Sequence, residues 1–102
     1  MTKVIYNATH GGFGISQAAI IRMKELGSSY ISGDSDTQKY YLDWDIPRHD
    51  PILVKVVEEL GKEVNDTWSD LRIIHITGKY RIDSYDGNEV VNTPESYNWV
   101  TP

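Results

Sequence analysis

The 102-residue chain contains no cysteine, which excludes disulfides, thiolate metal cages and cysteine nucleophiles and gives no support for an oxidising compartment. No apolar run approaches the roughly 20 residues of a membrane span, and the first residues, Met1-Thr2-Lys3-Val4-Ile5-Tyr6, form no apolar signal core. The expectation is therefore an unprocessed cytoplasmic protein with no membrane partner. Positive charge is scarce: 10 Lys and Arg against 15 Asp and Glu leave a formal charge of -5. That balance opposes attraction to duplex nucleic acid, which is not an expected partner. Acidic and basic residues are interspersed rather than blocked, and there is no internal repeat or low-complexity tract.

What is present fits one domain, residues 1–102, large enough to bury roughly two thirds of its unfolded surface. Lys3 to Ala8 alternates in polarity as a strand does. Ser16 is positioned to cap a helix over Gln17 to Leu26, closed by Gly27, with Ala19, Ile20, Met23 and Leu26 facing inward. Ser28 to Asp36 reads as a solvent loop, and Lys39 to Trp44 as an optional short edge strand. Asp50 and Pro51 are a strong helix start, followed by Leu53, Val56, Val57, Leu60 and Val64 on one stripe, with Gly61 weakening the last turn. Leu71 to Ile76 predicts a largely buried strand, Gly78-Lys79 a hairpin turn, Tyr80 to Tyr85 its partner, and Asn88 to Asn92 a third strand after an Asp86-Gly87 turn. Thr93 to Val100 reads as a tail whose Tyr97 and Trp99 dock on the body. These patterns predict a single α+β domain in the order β-α-(β)-α-β-β-β, with a mainly antiparallel sheet of about four strands and two helices on one face.

Chemistry-bearing residues concentrate in two places. The first is the glycine-dense stretch Asn7-Ala8-Thr9-His10-Gly11-Gly12-Phe13-Gly14-Ile15-Ser16 between strand and helix, a context in which backbone amides cradle phosphate or carboxylate. Its spacing matches neither a dinucleotide fingerprint nor a phosphate loop, and the simpler reading is a tight turn that lets Phe13, the only phenylalanine, plug the core. The second is Asp43-Trp44-Asp45-Ile46-Pro47-Arg48-His49-Asp50, where Arg48 offers a fork for an anion, His49 a proton carrier and Trp44 a stacking face. Here too the simpler reading is structural, with Asp50 as helix cap and Arg48 neutralising Asp43 or Asp45. His10, His49 and His75 show no metal-ligand spacing, so no metal or other cofactor is expected, and His75 reads as a core or sheet-face residue. Arg81, Asp83, Tyr85, Asp86 and Glu89 read as the wet face of a hairpin.

Three blocks carry a family resemblance: Tyr6-Asn7-Ala8 through Gly11-Gly12-Phe13-Gly14-Ile15-Ser16, Asp45-Ile46-Pro47-Arg48-His49-Asp50-Pro51 through Gly61, and Tyr85-Asp86-Gly87 with Glu89. Together they span most of the chain, which resembles a small uncharacterised family of bacteriophage and other viral proteins with members in some bacteria. The resemblance implies a viral origin, with the host cytoplasm as address, and brings no activity with it. Members often have a cysteine in the two positions before the first glycine. This chain has Thr9-His10, so no thiol-dependent role carries over.

The functional expectation is a non-enzymatic protein that binds a small anionic ligand or regulates a partner. Its site comprises His10, Gly11, Gly12, Phe13, Gly14, Ser16, Arg48 and His49. Two alternatives stand beside it: an acid-base or hydrolytic enzyme using His10 or His49 with Asp45 or Asp50, and an interaction module. Seven tyrosines and three tryptophans suit an interaction module, and a sheet edge or aromatic tail suits a homodimer.

Overall fold

A computed structural model describes residues 2–34 and 39–94 of the chain. It is an α+β domain in which two helices and six strands follow the order β1 (Thr2–Asn7), α1 (Gln17–Glu25), β2 (Ile31–Asp34), β3 (Lys39–Leu42), α2 (Pro51–Leu60), β4 (Leu71–Ile76), β5 (Arg81–Tyr85) and β6 (Asn88–Asn92). Both helices start where their caps require. The Ser16 hydroxyl accepts from the Ala19 amide, and the Asp50 carboxylate from the Leu53 amide with Pro51 in the first turn. At Gly61 the chain takes φ +56°, its amide donating to Val57 O, and continues as a 3-10 turn over Gly61–Val64 that inserts Val64 fully into the core.

The core is the meeting of the two helical stripes with one sheet face. Ala19, Ile20 and Met23 of α1 and Leu53, Val54, Val56 and Val57 of α2 pack around Ile5, Ile15, Leu42, Ile46, Val64 and Leu71. Burying such side chains contributes roughly 1.5–3 kcal/mol each, the main favourable term for a domain this small. Across the outer ends of the helices, Arg22 Nε donates to Glu59 Oε2 at 3.0 Å. Among the described residues no helix is long and apolar enough to cross a membrane.

Sheet topology differs from a meander of about four strands. The strands form three antiparallel pairs, β1 with β4, β2 with β3, and β5 with β6. Leu71 to Ile76 is a strand as its composition predicts, yet its partner is β1, not the strand that follows it. Gly78 does turn the chain, at φ +80°, but Tyr80 then leaves to place its hydroxyl 2.6 Å from His49 Nδ1, which draws the chain away from β4. The Asp86-Gly87 hairpin forms as predicted: φ is 51° and 88° at the two turn residues, and Tyr85 faces Asn88 across the turn. Within the predicted solvent loop, residues 31–34 form β2. Ile31, partly buried against the core, registers with Leu42, and pairing with β3 outweighs the weak strand preference of Ser32 and Gly33. The predicted docking of Tyr97 and Trp99 lies outside the described residues.

Candidate functional site

Four chain segments converge on the glycine turn: residues 7–16, 43–50, 66–70 and 85–89. Asn7, fully buried at the end of β1, ties three of them together. Its Nδ2 donates to Thr9 O at 2.7 Å and Gly87 O at 2.8 Å, while its Oδ1 accepts from the Asp70 amide at 2.9 Å and lies 3.2 Å from Thr9 Oγ1. Both donors and the acceptor oxygen of the side-chain amide are thus engaged, so its burial carries no orphaned polar group. The Thr9 hydroxyl donates onward to Trp68 O at 2.7 Å.

The glycines are explained by close approach more than by backbone angle. A Cβ at Gly11 would collide with Trp68 main chain and side chain, and one at Gly14 with the Asp66 carboxylate. Gly87 lies against the His10 carbonyl and the Gly12 amide, and Gly12 itself takes φ +92°. The three residues 10, 12 and 87 therefore bring the β5–β6 hairpin turn onto the glycine turn. Ser16 is occupied in both directions: its hydroxyl accepts from the Ala19 amide and donates to Glu63 O at 2.7 Å, and its own amide donates to Val64 O at 2.8 Å.

Arg48 is the centre of the site. Its guanidinium forms a two-pronged pair with Glu89, Nη1 to Oε1 at 2.5 Å and Nη2 to Oε2 at 2.8 Å, and its Cζ lies 3.6 Å from the Phe13 ring centroid. Glu89 is buried, and its Oε1 also accepts the Asn7 amide at 2.8 Å. Arg48 therefore neutralises Glu89 rather than Asp43 or Asp45, and Glu89 is an interior carboxylate rather than part of a wet face. The alternating pattern fails at Glu89 because a partly buried arginine and an outward-facing amide of β1 both need an acceptor there. Phe13 is half-buried: one part meets the core, while its ring carries the guanidinium and makes an edge contact at 6.2 Å with Trp44.

The histidines separate. His10 is exposed, with no hydrogen bond or ring contact among the described residues. His49 packs edge-on against Tyr80, ring centroids 5.7 Å apart. Burial pushes the Tyr80 hydroxyl above its ordinary pKa, opposed by the nearby Arg48 charge and by a backbone hydrogen bond at His49. Asp50 is engaged as the α2 cap. His75 is an exposed sheet-face residue. Among the described residues no group of three or more His, Asp or Glu is placed to hold a metal ion.

The structure thus brings Gly11, Gly12, Phe13, Gly14 and Arg48 together, keeps Ser16 at the helix cap, and gives His49 a separate partner. Asn7, Glu89 and Trp68 are not among the expected site residues. Asn7 heads the glycine-dense stretch, but nothing in the sequence marks its side chain as a hub, and Glu89 has the pattern of a solvent-facing strand residue. Compared with protein-family models, curated proteins and solved structures, the chain matches none.

Proposed function

We propose that the chain is a non-enzymatic binding protein that docks a macromolecular partner on the rim of the glycine turn, through Trp44 and Trp68. The observation that carries this reading is a contrast in availability. Arg48, the cation expected to receive an anion, is held by Glu89 and covered by Phe13, whereas Trp44 and Trp68 are 68% and 70% exposed beside the same turn. Exposed tryptophans on a rigid, fully hydrogen-bonded support are the residues most often found as binding hot spots. Asp43 and Asp45 flank Trp44, and Asp66 and Asp70 flank Trp68, so the complementary surface is apolar with a basic rim. A small anion would have to displace Glu89 from Arg48, leaving a buried carboxylate unpaired. Catalysis has less support, since His10 and His49 share no contact among the described residues and Asp50 is already the helix cap. We place this binding in the cytoplasm of a host, the address that the viral resemblance implies.

The test is titration of the isotope-labelled chain, followed by the indole Nε1–H signals of Trp44 and Trp68, with an arginine- and leucine-containing peptide, an acidic peptide and inorganic phosphate. The basic peptide is expected to move both indoles and the amides of residues 10–14, and Trp44→Ala or Trp68→Ala to abolish the response in a folded chain. A response to phosphate at Arg48 would favour the small-anion reading, and silence to all three would sink the docking surface.

A further inference from the structure

Beyond the aromatic rim, we propose that β4 pairs with β4 of a second copy about a two-fold axis at Ile74, joining two small sheets into one antiparallel sheet of four strands. Main-chain groups alternate in direction along both strands of the β1–β4 pair. The Ile5 amide donates to Arg48 O and the Asn7 amide to Glu89 Oε1, both away from β4. Ile5 and Asn7 register with Ile73 and Leu71, so these are non-hydrogen-bonded pairs, and the alternate residues Leu71, Ile73 and His75 direct their main-chain groups away from β1.

The two edges of this sheet are treated differently. The outer edge of β1 is filled at Ile5 and Asn7 by the Arg48 carbonyl and the Glu89 carboxylate. On β4, Asn65 Oδ1 accepts the Leu71 amide at 2.7 Å, but the outward amides of Ile73 and His75 have no partner among the described residues. The strand, Leu-Arg-Ile-Ile-His-Ile, contains no proline, glycine or lysine and its register runs without a bulge, so it lacks most devices that discourage edge pairing. Its one charged residue, Arg72, turns to Asp70 at 3.0 Å. Beside the edge lies a groove of about 330 Å3, lined by the apolar Val57, Leu71 and Ile73 and by the charged Lys62, Asp70 and Arg72.

A second copy fits because the register closes on itself. Pairing centred on Ile73 would need the Leu71 amide, which Asn65 already holds. Pairing centred on Ile74 uses only Ile73 and His75: each Ile73 faces His75 of the other copy, and the two pairs exchange four main-chain hydrogen bonds. Ile74, 36% exposed in the protomer, then meets its own copy at the close position on the axis, where a cross-strand aliphatic pair contributes most. Arg72 falls opposite Ile76, so no like charges face each other.

The test is sedimentation equilibrium from micromolar to millimolar protein, with amide exchange at Ile73 and His75 over the same range. A monomer–dimer equilibrium is expected, with both amides slowing as the dimer fills. His75→Pro removes an amide that has no acceptor among the described residues, and Ile74→Lys places a charge on the axis from an already exposed position. Each is expected to weaken the dimer about tenfold or more while the unfolding midpoint of the monomer holds. Should His75→Pro fail to fold, Ile74→Lys keeps the test. A chain monomeric at every concentration, a dimer that Ile74→Lys leaves intact, or a dimer in which these two amides exchange at the monomer rate would overturn the proposal.

Discussion

Among the described residues Arg48 and Arg22 each meet a glutamate with two prongs, and their surroundings give the two pairs opposite significance. Arg48 grips Glu89 at 2.5 and 2.8 Å, with side chains only 17% and 8% exposed, on top of Phe13 and beside the Asn7 network. Arg22 grips Glu59 at 3.0 and 3.5 Å, both side chains at least a third exposed, between the outer faces of α1 and α2. In water the second pair gains little over its hydrated ions and is screened by salt. The first has been removed from water together with a main-chain amide, so loss of either member strands the other. The exposed pair decorates a junction already made by apolar side chains, whereas the buried one joins the 43–50 and 85–89 segments to the glycine turn.

The largest effect is expected of Glu89→Ala, which leaves the Arg48 charge half-buried without its carboxylate and the Asn7 amide without an acceptor. A loss of about 3–5 kcal/mol in urea unfolding is expected, and a loss no larger than that of Glu59→Ala would show the two corners to be equivalent. Asn7→Ala comes next, removing the side-chain bonds to Thr9, Gly87 and Asp70. It is expected to cost about 1–3 kcal/mol and to raise hydrogen exchange at Asp70.

The glycines sharpen the same contrast between fixed and yielding neighbours. Gly11→Ala meets Trp68 main chain and is expected to destabilise by about 1–3 kcal/mol. Gly14→Ala meets the end of an exposed Asp66 side chain, which yields by giving up its 2.8 Å bond from the Trp68 amide, so its midpoint shift should be the smaller and should vanish in an Asp66→Ala background. The smallest effect concerns pH. The hydrogen bond from Arg22 holds the Glu59 carboxyl below its ordinary range, opposed by desolvation and helped by the Arg22 and Lys55 charges. A carboxylate with a lower pKa in the folded state contributes stability above its unfolded pKa, and that contribution is lost as pH falls through the folded value. Glu59→Gln should therefore flatten the acid limb of the stability profile slightly, in thermal melts from neutral pH downward, and added salt should remove the difference.

Local devices were legible because they act within a few residues. Ser16 and Asp50 cap helices from their own sequence neighbourhoods, the stripes of α1 and α2 follow helical spacing, and Asp86-Gly87 needs only its own backbone angles to turn. Pairing was less legible. The composition of β4 announces a strand but not that β1 lies beside it, and β2 exists only because β3 gives Ser32 and Gly33 somewhere to bond. At the candidate site, Phe13 and Arg48 stood out by residue type and the structure stacks them. Glu89 did not, since alternation along β6 gives it the same appearance as any solvent-facing acid.

By itself, then, the sequence determined the α+β class, both helices with their starts, most strand segments and the two clusters of chemistry-bearing residues, all properties encoded by capping, periodicity and turn chemistry at short range. Tertiary structure alone decided which strands pair, that Asn7 is a buried hub, that Gly11 and Gly14 are glycines to admit Trp68 and Asp66, and that Arg48 faces inward to Glu89. Those outcomes depend on which distant groups are excluded from water together, and an amide, a guanidinium and a carboxylate must find one another once the solvent that satisfied them is gone.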